Sequence, residues 1–147
     1  MYAKGYLMTH VSSRITIDRP ADALWQVISD FGAAGDYLAG VIDCMVEGAG
    51  VGARRTLTSV DGSTIVERLE TLDAAALRLS YSLLTATPFG NCLTSMVVRD
   101  LGPNRAELAW SAIFEPDGIP VQEAVALLEG ALAENCLSLK QYMEDGW

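Results

Sequence analysis

Apolar residues recur every second position near the start of the chain, then every three to four, then every second again through the middle, and every three to four at the end. Each period predicts an element. Val11, Ser13, Ile15 and Ile17 alternate with Ser12, Arg14 and Thr16, which predicts a strand over residues 10–17. Asp18, Pro20 and Asp22 then open a helix that carries Leu24, Trp25, Val27, Ile28 and Phe31 and that Gly32 can end. Residues 33–38 read as a further short helical turn. From 41 to 114 no helical period is sustained, and six runs at 41–47, 53–60, 63–72, 77–84, 92–101 and 105–115 have the spacing of an antiparallel meander. Asp61-Gly62 is a two-residue hairpin signal, and Gly102-Pro103-Asn104 breaks the next pair.

The last stretch, 120–143, is an amphipathic helix of roughly 36 Å, at about 1.5 Å per residue. Val121, Ala124, Val125, Leu128, Ala131, Leu132, Leu139, Tyr142 and Met143 share its apolar face, while Gln122, Glu129, Lys140 and Gln141 fall elsewhere. Pro120 suits the first helical position because its missing N–H costs nothing there. Asn135 interrupts the stripe. The order of elements predicts an α+β fold in which a curved, seven-stranded antiparallel sheet wraps around the long C-terminal helix. A curved sheet and a cylinder do not close tightly, so an apolar cavity between them is expected.

Composition narrows the partners. The 147 residues fit one domain over 1–147, and half of them are hydrophobic. A formal net charge of −9 gives nucleic acid or an anionic membrane surface little to hold. Cys44, Cys92 and Cys136 lie far apart without metal-binding spacing, and His10 is the sole histidine, so neither structural disulfides nor a metal site is expected. The N-terminus lacks a signal-like apolar core, and no long uncharged apolar run occurs, so stable membrane insertion is not expected and a reducing cytoplasm is.

Several segments carry a resemblance over about residues 11–142: PADALWQVISDFGAAGDY at 20–37, GVGARRTL at 50–57, DGSTIVERLETLD at 61–73, LSYSL at 79–83 with Pro88 following, and LAWSAIFEPDG at 108–118. In this order the chain resembles the START-like helix-grip (SRPBCC) superfamily and, within it, the bacterial polyketide cyclase/dehydrase and lipid-transport group. The resemblance implies the helix-grip fold, a cavity and the binding of hydrophobic small molecules, without implying a reaction. Tyr37 supplies the aromatic usual after the first helix, but Leu38-Ala39-Gly40 lacks the proline that usually follows it.

Candidate chemistry centres on Glu67. If Ile65, Glu67 and Leu69 point inward, a carboxylate enters the cavity and must find a partner, rise in pKa or sit in water. A strict two-residue turn at Asp61-Gly62 places Thr56 opposite Glu67 and Arg54 nearer Leu69, whereas a bulged turn brings Arg55 to it. Glu67 is then either a pocket acid that orients or protonates a ligand carbonyl, or half of a structural ion pair. Tyr81, between Leu79 and Leu83, is either a packed ring or a pocket hydrogen-bonder. Asn135 is either a ligand partner or a satisfied core amide. Met96, Leu108, Trp110, Phe114, Leu128 and Leu132 are candidate cavity walls, with simple core packing as the plainer reading of each. The glycine-rich 48–52 lacks the GK[ST] ending of a phosphate loop and reads as a strand connection. Cys92 and Cys136 read as small buried hydrophobes.

Three functions follow. The first is binding of a small hydrophobic or aromatic, polyketide-like or lipid-like ligand. The second is a cyclase or dehydratase in which Glu67 and Tyr81 move protons with no metal or organic cofactor. The third is a protein-interaction module with a plugged cavity and an apolar patch outside. A homodimer stays open, as does the role of Trp147, which can cap an opening or join an interface.

Overall fold

The structure is a computed structural model and describes residues 8–145, so Trp147 lies outside it. In chain order the elements are β1 (Thr9–Ile17), α1 (Ala21–Ser29), a 3-10 turn (Phe31–Ala33), α2 (Ala34–Tyr37), β2 (Val41–Glu47), β3 (Arg54–Ser59), β4 (Thr64–Asp73), β5 (Arg78–Leu83), β6 (Phe89–Gly102), β7 (Arg105–Pro116) and α3 (Val121–Asp145). The seven strands form one antiparallel sheet in the order β1-β7-β6-β5-β4-β3-β2. This is the helix-grip architecture that the alternating apolar pattern predicts.

Register assigns the faces. Ile15 pairs with Leu108, Leu108 with Val98, Trp110 with Met96, Met96 with Leu79, Tyr81 with Leu69, and Arg55 with Glu67. Side chains directly opposite one another share a face, so these residues line one inner surface. α3 lies over β1 and β7, at one end of the strand order, while the turn after α1 packs on β2. The long helix and the shorter helical segment, which meet where α2 packs on α3, thus cover the inner face together. The seam of α3 that is fully buried is narrow, Ala124, Leu132, Cys136, Leu139 and Met143. Val121 and Ala131, expected on that face, are exposed, because the helix touches the sheet along its edge rather than through a broad stripe. Cys92 and Cys136 are buried free thiols, as their apolar flanks suggest.

Three local expectations are corrected. α1 stops at Ser29, before Phe31, because Asp30 is extended (ψ 93°) and the chain restarts as a 3-10 turn. Gly32 does not end the helix; it lets the turn approach β2, where a Cβ would lie 3.1 Å from Val46 Cγ2. β6 begins at Phe89 rather than at 92, with an irregularity between Gly90 and Leu93 at which Asn91 takes a positive φ of 49°.

The third correction concerns Asp61-Gly62. Ser59 N–H donates to Ser63 O at 2.8 Å and Gly62 N–H to Ser59 O at 2.9 Å, so the loop holds three residues, 60–62, with Gly62 at φ 88°. Asp61 Oδ1 accepts from the Ser63 N–H and hydroxyl. A three-residue loop with its last position left-handed is the bulged alternative, and it sets Arg55 opposite Glu67. Gly62→Val therefore costs about 1–2 kcal/mol through forced left-handed backbone, although no atom crowds the position. A urea titration measures this loss.

Candidate functional site

The sequence places an arginine and a glutamate on adjacent strands, and the loop register aims both inward. Arg55 keeps 2% of its surface and Glu67 8%. Arg55 Nε donates to Glu67 Oε1 at 2.9 Å, and Nη2 lies 2.8 Å from the same oxygen. Arg55 Nη1 donates to the Phe31 carbonyl at 3.2 Å. The break after α1 matters here, since a carbonyl inside a continuing helix would be spent on the helix ladder. The guanidinium carbon lies 4.0 Å from the Phe31 ring centre and 4.7 Å from that of Tyr81, within cation–π range. The Tyr37 phenol, at the end of α2, lies close enough to Arg55 for the guanidinium to favour its ionised form. Tyr81 Oη in turn accepts from Trp110 Nε1 at 3.1 Å.

Protonation follows from burial and pairing. Burial pushes the Glu67 carboxyl above its ordinary value, and the Arg55 guanidinium only partly pulls it back. Burial works against the Arg55 charge, but the Glu67 carboxylate beside it more than offsets this, so the guanidinium stays charged. Burial raises the phenols of Tyr37 and Tyr81, with Arg55 opposing in both. It also raises the thiols of Cys44, Cys92 and Cys136, which makes none of them an activated nucleophile.

With the geometry in view, a comparison with known families is decisive. Residues 8–144 match the family model described as polyketide cyclase / dehydrase and lipid transport. The chain belongs to this family. No curated protein sequence matches this family member. Among solved structures, the protein XoxI from Bacillus cereus is similar at 28% identity and a TM-score of 0.86, covering 94% of this chain and 97% of its own. The Zhui aromatase/cyclase from a Streptomyces species shares the fold at 20% identity and a TM-score of 0.72, covering 95% of this chain and 98% of its own. Norcoclaurine synthase from Thalictrum flavum shares it at 18% identity and 0.74, covering 96% and 89%.

Within this polyketide cyclase / dehydrase family member, the ten candidate residues divide by surroundings. Glu67 and Arg55 form one hydrogen-bonded pair and Tyr81 and Trp110 another, and the Arg55 guanidinium over the Tyr81 ring joins the two. Met96, Leu108, Trp110 and Phe114 keep 0 to 1% of their surface, and Leu132 keeps 3%. Side chains so completely enclosed face other protein atoms, not a water-sized void. Leu128 and Asn135 on α3 are half-buried, as are Ile65 and Leu83 on the sheet's inner face. Leu83 pairs directly with Glu67. Arg55, Leu69 and Tyr81 around Glu67 are buried, and Ile65 and Leu83 are half-buried. Among the described residues no buried side-chain nitrogen or oxygen lacks a partner, and no helix is long and apolar enough to cross a membrane.

Three contributors escape the sequence reading. The Phe31 carbonyl was hidden by its assignment to a continuous helix. Tyr37 offered an aromatic without a hint that its phenol would lie near Arg55. Ser138 Oγ, on α3, donates to Tyr37 O at 2.5 Å and accepts from Ala39 N–H at 3.0 Å. A lone serine on a helix gives no signal of such a clasp.

Removing one partner of the pair strands a buried charge, so Glu67→Ala lowers unfolding stability by about 3–5 kcal/mol. The double replacement Arg55→Met with Glu67→Leu is far milder, and urea midpoints compare the two. The raised phenols set an alkaline limit. The unfolded chain releases these protons near the ordinary 10.0 and the folded chain only above it. Their contribution is intact below pH 10 and is lost as pH rises through the folded-state values. Denaturant midpoints fall over that window, and less steeply in Tyr81→Phe.

Proposed function

We propose that this protein binds a small hydrophobic or aromatic molecule, polyketide-like or lipid-like, against the inner sheet face between β4, β5 and α3. The observation that carries the reading is the buried Arg55–Glu67 ion pair on the inner sheet face, with Leu83 directly across from Glu67 and Ile65 two residues along the same strand both half-buried. Apolar groups left partly uncovered next to oriented polar groups are the ingredients of a ligand site. Burying about 200 Å² of apolar ligand surface there contributes roughly 5 kcal/mol at about 25 cal/mol per Å². The structure of norcoclaurine synthase in complex with dopamine and hydroxybenzaldehyde supports small aromatics as ligands of this fold. The three free thiols fit a reducing cytoplasm.

A second reading, a cofactor-independent cyclase or dehydratase, draws support from the raised Glu67 carboxyl, since a carboxyl that holds its proton longer is a better acid near neutrality. The Tyr81 phenol moves the other way, further from neutral pH. An interaction module draws on the sealed walls and on Ile42 and Met45 of β2, which expose 63% and 66% of their surface. Binding accounts for more of the arrangement, because the acid already has a cationic partner.

The neutral dye N-phenylnaphthylamine tests the reading. Its fluorescence rises on saturable binding to the wild-type protein. Leu83→Trp fills the open end of the face and weakens that binding about tenfold or more, with the circular dichroism spectrum unchanged. Saturable binding unaffected by Leu83→Trp would remove the site from this face. Turnover of a poly-ketone that is lost in both Glu67→Gln and Tyr81→Phe would instead establish the enzyme.

A further inference from the structure

Both Arg55 contacts converge on one carboxylate oxygen, Glu67 Oε1, at 2.9 and 2.8 Å. Among the described residues Arg55 is the sole hydrogen-bond partner of this carboxylate. A carboxylate offers about four acceptor positions, so the oxygen outside the guanidinium fork, Oε2, keeps acceptor capacity. That oxygen is not sealed in, because no buried side-chain oxygen among the described residues is without a partner. The Glu67 side chain keeps 10% of its surface, and its cross-strand neighbour Leu83 is half-buried. A residue more than nine-tenths buried thus keeps an acceptor that is not fully enclosed, with half-buried Leu83 directly across the strand pair.

We infer that Glu67 Oε2 receives a hydrogen bond from a neutral hydroxyl of the ligand. The site therefore selects an apolar alcohol or phenol over a carboxylate or an ammonium. This rests on the proposed binding role and names its ligand chemistry. A ligand carboxylate would bring a negative charge against an oxygen that has no proton to give. A ligand ammonium would be drawn to Oε2 but would share that carboxylate with the Arg55 guanidinium, and two cations on one buried carboxylate repel. A neutral O–H meets neither penalty. It also makes a charge-assisted bond, stronger than one between neutral groups.

The test compares naphthol, its methyl ether, naphthoate and naphthylmethylammonium, four probes sharing one ring system, by calorimetric titration of the wild-type protein. Naphthol is expected to bind about tenfold or more tightly than each of the other three, because a buried acceptor left without its donor penalises the ether. In Glu67→Gln the amide can turn its N–H₂ outward, and the preference for naphthol over the ether collapses to within about threefold. Wild-type binding of naphthol and ether with equal affinity overturns the inference while leaving the binding role intact, as does tightest binding of naphthoate or the ammonium. Failure of all four to bind overturns both. If Glu67→Gln does not fold, the wild-type series alone decides.

Discussion

An ion pair withdrawn from water is costly unless every remaining hydrogen-bonding group around it is met, and the structure around Arg55 and Glu67 reads as the set of conditions that meet this demand. The 3-10 turn supplies a carbonyl, α2 brings a phenol nearby, and the rings of Phe31 and Tyr81 lie against the guanidinium. Each comes from a different stretch of chain. The pair ties the first helical segment, the β3 to β4 hairpin and the centre of the sheet to one point, and the break in α1 is explained by it as much as by local propensity.

The second constraint is geometric. α3 lies over β1 and β7, and the turn after α1 attends to β2. Between these two covers the inner face passes from residues without any free surface, such as Phe114 and Leu108, to half-buried ones such as Ile65 and Leu83. The clasp made by Ser138 joins the covers at one end, through Tyr37 O and Ala39 N–H. Fully enclosed and half-buried residues thus share the inner face, and the charged pair lies beside Leu83.

Much of this was legible in the chain. Alternation at Leu108, Trp110, Ala112 and Phe114 gave β7 and its inward face, and the flanks of Glu67 gave its orientation, because strand periodicity is a short-range property. The partner of Glu67 was not legible, since it turns on one residue of loop length and both turn types suit Asp61-Gly62. The breadth of the α3 contact was not legible either. A helical wheel shows which residues are apolar, but the placement of the helix over β1 decides that Leu132 is enclosed and Ala131 exposed. Phe31 belonged to the helical pattern by sequence, and a tertiary demand for its carbonyl overrode that pattern.

Hairpin tips on a protein's exterior ordinarily tolerate insertions and deletions, because little depends on them. The tip at residues 60–62 is different. Shorten it by one and Thr56 slides opposite Glu67, stranding an acid in the interior and turning an arginine toward solvent. The length of this outward-facing segment is therefore held constant by chemistry on the opposite side of the sheet. Apart from the left-handed Gly62 and the Asp61 that caps Ser63, it is the number of residues in the tip that the buried pair depends on.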